Sequence, residues 1–244
     1  MSILITGGSK GIGLAIALRF AQPGNHVFVN YSADDGAAAE AARQVEARGA
    51  HPHLVKADIG TVEGAHAALA EVGRVVDGLD HLVHCAVQPV MGSALELDPH
   101  LFDRALQVTG SALLYLVQAA LPLLRRGSSV IMLSSRGSRV AIPGYVALGA
   151  GKALGESLIR YLAVELAPRG VRANVVAAGP LPTDAFRAMF TDAEERLRAA
   201  AASNPSGRQI DFEDVAALVE FLASDGAAMV QGQVVMVDGG ASLR

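Results

Sequence analysis

Short apolar runs alternate along the chain with longer stretches in which apolar positions recur every three or four residues, the signature of strands interleaved with helices. The first run, residues 2–6, passes through a glycine-rich segment into a helical pattern at 14–21. Further strands are predicted at 26–30, 53–57, 82–85, 130–133, 171–176 and 233–237. Helices are predicted at 35–48, 62–76, 98–124, from about 144 to 166, and at 212–223. In the long pattern at 98–124 the only interruption is Gly110. Residues 186–207 are helical but rich in Ala and Arg with weak periodicity, so a mobile lid is expected over about 183–208. Strands that are apolar throughout and are linked by helices predict an α/β fold, a doubly wound parallel sheet of about seven strands with helices on both faces. Ligands of such a sheet meet the carboxyl ends of its strands.

Composition narrows this picture. A chain of 244 residues, 51% apolar and 5% aromatic, can bury a sizeable core, and no compositional break marks a linker, so one domain over 1–244 is expected. A net charge of -4 and a pI near 6.0 argue against a nucleic-acid surface. The single cysteine, Cys85, rules out an internal disulfide and fits a reducing cytoplasm. The apolar stretch at 112–124 is interrupted by Gln118 and Pro122 and is too short to cross a membrane, and a strand from position 3 leaves no room for a signal peptide. A cytoplasmic protein without a membrane partner is expected. His81 and His84, three apart on a strand, face opposite sides, and no metal site is assigned.

The chemistry gathers at strand ends. Thr6–Gly13, TGGSKGIG, sits between strand and helix with the spacing Gly7-x3-Gly11-x-Gly13. Glycines there allow a tight turn and close backbone approach, and a helix N-terminus attracts phosphate. The spacing differs from a Walker loop, which ends in Gly-Lys-Ser/Thr. A plain strand-helix turn also uses glycine, but the context favours a dinucleotide loop. After the second strand come Asn30, Tyr31 and Ser32, with no acid before Asp34 to hold a ribose 2'-hydroxyl. Lys10 offers a cation to a 2'-phosphate, or is a solvated loop charge. NADPH is therefore expected over NADH. Asp58, followed by Ile59, either accepts from the adenine amino group or forms a helix cap or turn. In SSRGSRVAIPGYVALGAGK, Tyr145 and Lys152 are seven residues apart, two helical turns, and so share a face. A phenol beside an ammonium is expected to have a lowered pKa. Ser134 and Ser135 either support the same substrate oxygen or bond the turn.

Four motifs in order, TGGSKGIG, Lys152 on the fifth helix, GPLPT at 179–183 and GQVVMVDGG at the C-terminal end, resemble the short-chain dehydrogenase/reductase family over essentially the whole chain. The resemblance implies a Rossmann-type fold. It implies that Thr6, Gly7, Ser9, Lys10, Gly11, Ile12 and Gly13 form the pyrophosphate loop and that Asp58 meets the adenine. Lys152 would hold the nicotinamide ribose, with Pro180 and Thr183 on the carboxamide side. Tyr31, Ser32, Ile59, Cys85 and Ala86 at the strand ends complete the expected cofactor set.

The departures from that family are informative. Its usual Tyr-x3-Lys places a tyrosine where this chain has Leu148, its Asn-Asn-Ala-Gly segment reads His84, Cys85, Ala86, Val87, and its fourth-helix Asn is Thr109. The spacing Tyr145-x6-Lys152 instead resembles bacterial enoyl-acyl-carrier-protein reductases, and the end of the chain, TDAFRAMF and SNPSGRQIDFEDVAALVEFLAS, looks closest to their third type or to similar enoyl-thioester reductases of secondary metabolism. Ketone reduction places hydride and proton on one carbonyl. Conjugate reduction of an enoyl thioester delivers hydride to the β-carbon while charge grows on the more distant thioester oxygen, which a phenol moved by roughly 5 Å, one helical turn, can serve. The expected activity is NADPH-dependent reduction of an enoyl thioester carried by acyl carrier protein or coenzyme A, in fatty-acid or secondary-metabolite biosynthesis. The expected catalytic set is Tyr145, Lys152 and Ser135. A 3-oxoacyl or ketone reductase with a displaced tyrosine is the runner-up, and a catalytically weak NADP-binding protein the third reading. Arg187, Arg196 and Arg198 on the lid either meet an acidic carrier or are solvated. Self-association as a homodimer or homotetramer is expected by resemblance, through 98–124 and 145–167.

Overall fold

A computed structural model describes residues 1–243. Its chain alternates strand and helix through β1 (Ser2–Thr6), α1 (Gly11–Phe20), β2 (His26–Tyr31), α2 (Asp35–Glu46), β3 (His51–Lys56), α3 (Val62–Val75) and β4 (Leu79–His84). There follow α4 (Pro99–Leu106), a π turn (Gln107–Ser111), α5 (Ala112–Ala120), β5 (Leu124–Ser135), α6 (Val146–Leu166) and β6 (Arg172–Ala178). Two shorter helices, α7 (Asp184–Met189) and α8 (Ala193–Ser203), precede α9 (Phe212–Ala223) and β7 (Val234–Val237).

All seven strands pair in parallel in the order β3-β2-β1-β4-β5-β6-β7. Alternate residues of each strand feed two cores. Leu4, Phe28, Leu82, Val130 and Val175 pack with α3, α5 and α6, whereas Ile3, Ile5, Val27, Ile131 and Val176 pack with α1, α2 and α9. Both faces of the sheet's centre are thus buried, the reason β1 and the buried stretches of β5 and β6 read as largely apolar runs. Chain progression reverses direction across the sheet between β1 and β4, and the loops leaving these two strands flank a crevice at their carboxyl ends. Close approach there depends on glycine: a Cβ on Gly13 would overlap the Gly7 carbonyl beneath it.

Several boundaries differ from expectation for identifiable reasons. The expected helix at 98–124 is two helices joined by the π turn, and it stops at Ala120. Leu121 keeps helical backbone, but Pro122 has no N–H to continue the ladder. Strand β5 accordingly starts at Leu124, six residues before the expected position, and pairs Leu79 with Leu124. Strand β4 covers 79–84, so Cys85 lies in the loop, and β3 begins at His51. The segment expected to form a lid is not one helix but two, interrupted where Phe190 turns inward to 7% exposure.

Candidate active site

The crevice opens into a cavity of about 1080 Å³ that runs from the glycine loop, past the end of α6, to the underside of α7 and α8. At one end Lys10 is the N-cap residue of α1, and its side chain makes no hydrogen bond to the helix N-terminus. Gly7, Ser9, Lys10, Gly11, Ile12 and Gly13 all line the cavity. Thr6 does not. It is fully buried beneath the loop, where its hydroxyl accepts from the Cys85 and Ala86 N–H groups, each at 3.1 Å, and lies 2.9 Å from His84 Nδ1. With both lone pairs taken, the hydroxyl proton goes to Nδ1, which leaves His84 Nε2 to donate to the Thr109 carbonyl at 3.3 Å. That carbonyl lies in the π turn, so His84 ties the end of β4 to the break in the long helix. Burial lowers the His84 pKa to about 3, and the nearby Lys152 charge pushes it the same way, so the ring is neutral.

Tyr31, Ser32, Asp58, Ile59, Cys85 and Ala86 line the same wall, and Pro180 and Thr183 lie across from the glycine loop. Thr183 caps α7, its hydroxyl accepting from the Phe186 N–H at 3.0 Å. The α3 cap is Thr61, so Asp58 is not a helix cap. It forms a turn instead, accepting from the Gly60 N–H at 3.1 Å, and both its carboxylate oxygens lie 2.6 Å from Arg104 Nη2. Arg104 holds the Asp58 carboxyl below its ordinary pKa and was not singled out from sequence, because it sits 46 residues away on another helix. Lys10 is paired, 2.6 Å from Asp34 and 3.7 Å from Asp184 at the start of α7. Both carboxylates lie in the cavity wall.

At the other end stand Tyr145, Lys152 and Ser135. The backbone turns at Gly144, with φ +76°, and Tyr145 is the N-cap of α6, so Lys152 and the phenol both reach the cavity. Ser135, the last residue of β5, places its hydroxyl 3.2 Å from the Tyr145 hydroxyl. Position 148 is filled by Leu148, 2% exposed. The two serines divide their tasks: Ser134 turns away from the cavity centre to donate to Glu156 at 2.6 Å. Lys152 is 5% exposed and donates to the Leu133 carbonyl. Burial lowers its pKa to about 8, against the opposing influence of Cys85 and Glu156.

The expectation of an acidified phenol is corrected. Burial raises the Tyr145 pKa, opposed only by the Ser135 hydrogen bond. The ammonium is directed at the strand carbonyl and does not stabilise a phenolate. Tyr145 is therefore a neutral hydrogen-bond donor. The α7 side of the cavity is apolar, with Phe186, Met189 and Phe190 facing in. Of the lid arginines, Arg187 pairs with Glu194 at 2.9 Å, and Arg196 pairs with Asp192 at 2.7 Å and lies over the Phe190 ring.

Comparison with known proteins agrees with this architecture. A family profile described as "Enoyl-(Acyl carrier protein) reductase" matches residues 7–242. The chain is 35% identical to 1-cyclohexenylcarbonyl-CoA reductase of Streptomyces collinus, over 98% of this chain and 86% of that protein. It superposes with a TM-score of 0.90 on a short-chain dehydrogenase from Burkholderia cenocepacia in complex with NADP, at 31% identity, covering 98% and 97% of the two chains. A TM-score of 0.89 and 31% identity relate it to the angucycline C-6 ketoreductase LanV with bound NADP, covering 100% and 96%. With its sheet order, glycine loop and strand-end cavity, the chain belongs to the short-chain dehydrogenase/reductase family of oxidoreductases.

Proposed function

We propose that the protein reduces the 2,3 double bond of an enoyl thioester with NADPH. One observation carries the reading: the phenol at the α6 end of the cavity is Tyr145, hydrogen-bonded to Ser135, while the position one turn further along α6 is filled by buried Leu148. The displaced donor suits an oxygen three bonds from the carbon that receives hydride, two bonds farther than in a ketone. The named reductase of a cyclohexenylcarbonyl-CoA, an unsaturated thioester, supports the same class.

The residues fit a dinucleotide. The glycine loop lies tight against itself and the end of β4, where a Cβ on Gly7 would press on Ala86 and one on Gly13 on the Gly7 carbonyl, and the cavity extends from that loop to Tyr145. Bound there, the nicotinamide would supply a hydride to the β-carbon. Lys10 would exchange Asp34 and Asp184 for the 2'-phosphate, and NADP in two similar structures accords with that choice. Lys152 would exchange the Leu133 carbonyl for ribose hydroxyls and add positive potential. Tyr145 and Ser135 would donate to the thioester oxygen as enolate charge develops, with the α-carbon then taking a proton from solvent. Phe186, Met189 and Phe190 would exclude water from the acyl group as the segment 183–208 closes. Tyr161 and Val164, 67% and 73% exposed on α6, are the apolar surface we assign to self-association.

A second reading, ketone reduction, is favoured by the Ser135–Tyr145 contact, which lets both hydroxyls converge on one carbonyl, and by the likeness to a ketoreductase. Under the first reading, Tyr145→Phe lowers turnover of an enoyl thioester by about 100- to 1000-fold, the usual cost of one oxyanion donor, and leaves NADPH affinity nearly intact. Wild-type turnover by that variant on every enoyl thioester the parent accepts would remove Tyr145 from the mechanism.

A further inference from the structure

Glu156 is a carboxylate buried to 4% exposure one turn beyond Lys152 on α6, and nothing in the proposed reaction uses it. Its Oε1 accepts from Ser134 Oγ at 2.6 Å and from Ser138 Oγ at 2.7 Å, and its Oε2 accepts from Arg139 Nε at 3.3 Å. Ser134 and Ser138 bracket Ser135. The Ser138 hydroxyl also lies 2.9 Å from the Ser135 carbonyl. With one proton it serves one acceptor at a time, and the charged oxygen is the stronger. A buried carboxylate is tolerated only where donors surround it. Here those donors come from the end of β5 and the segment that leaves it, so the charge on α6 dictates where that stretch sits.

We propose that Glu156 is a positioning residue: by tying Ser134 and Ser138 to α6 it fixes the backbone that carries Ser135, and through the 3.2 Å Ser135–Tyr145 contact it orients the phenol donor. The inference rests on the reading of Ser135 and Tyr145 as the pair that faces the substrate oxygen. Glu156 acts through Ser135 and has no contact of its own with either reactant.

A double-mutant cycle tests this, because two residues that act as one unit give non-additive losses. Turnover of an enoyl thioester and NADPH binding by fluorescence are measured for the parent, S135A, E156A and the S135A/E156A pair. E156A is expected to lower kcat at least about tenfold in the parent but by less than about twofold in S135A, with NADPH affinity held within about twofold in both. E156Q keeps an acceptor oxygen for both serines and is expected to stay within about threefold of the parent kcat. If E156A does not fold, S138A serves in the same cycle, since it leaves the carboxylate two donors. Equal fold-losses in the two backgrounds, or a loss with E156Q as large as with E156A, would overturn the role of Glu156 alone. Unimpaired turnover by S135A would overturn the reading of Ser135 on which it rests.

Discussion

Lys152 holds its charge in a place that opposes it. Burial lowers its pKa to about 8, from an ordinary 10.5, while Cys85 and Glu156 act in the other direction. Below about pH 8 the ammonium is present to donate to ribose hydroxyls; above it the neutral amine loses both a donor and its potential. The apparent second-order constant kcat/KM for NADPH reports the free protein's ionisations. It is expected to fall on the alkaline side with a midpoint near pH 8, in a pH titration at saturating enoyl substrate. A profile flat to pH 10 would contradict a cofactor-binding role for that charge. Tyr145 adds no limb at lower pH, because burial raises its pKa and it acts as a neutral donor throughout.

Elements were legible where one physical cause dominated. The inner strands β1, β5 and β6, buried on both faces, wrote themselves as apolar runs, and the glycine loop announced itself by spacing between a strand and a helix. What stayed hidden depends on contacts between distant segments. The Asp58–Arg104 pair, the Lys10–Asp184 pair and the clasp of Glu156 on Ser134 leave no local pattern. The π turn was hidden for a related reason: its carbonyl at Thr109 is taken by His84, 25 residues earlier in the chain. Even the sharpest local inference, the lowered phenol pKa, failed because helical spacing says that two groups share a face but not which partner each one selects. Gly110, read only as an interruption, sits where the π turn meets α6, and a Cβ there would lie 2.8 Å from the Gly151 carbonyl and 2.9 Å from Leu154. Gly110→Ala should therefore separate the two elements and cost about 1–3 kcal/mol of stability by overpacking, measured by urea denaturation. A stability equal to the parent's would mean that the two helices adjust freely.

The whole molecule carries neutral histidines within its sheet. Burial lowers the pKa of partly buried His81 to about 4 and that of His84 to about 3, from an ordinary 6.5. The unfolded chain takes up a proton on each as the pH drops through about 6.5, and the folded chain does so only near the lower values. Stability is accordingly full above pH 6.5 and is lost as the pH falls, by about 1.4 kcal/mol per pH unit for each histidine down to about pH 4. Denaturation midpoints between pH 7 and pH 4.5 measure this, and no decline over that window would show the two rings to be solvated. The proposed reaction depends on the same integrated frame, since on that proposal hydride delivery from the strand ends and donation from α6 must meet one substrate. The most direct test of the account is the oxidation of NADPH, followed by absorbance, with a 2-enoyl thioester and, in a separate reaction, with a 3-oxoacyl thioester of equal chain length. Enoyl reduction requires oxidation with the enoyl substrate and a saturated thioester as product; oxidation with the 3-oxoacyl substrate alone would contradict it.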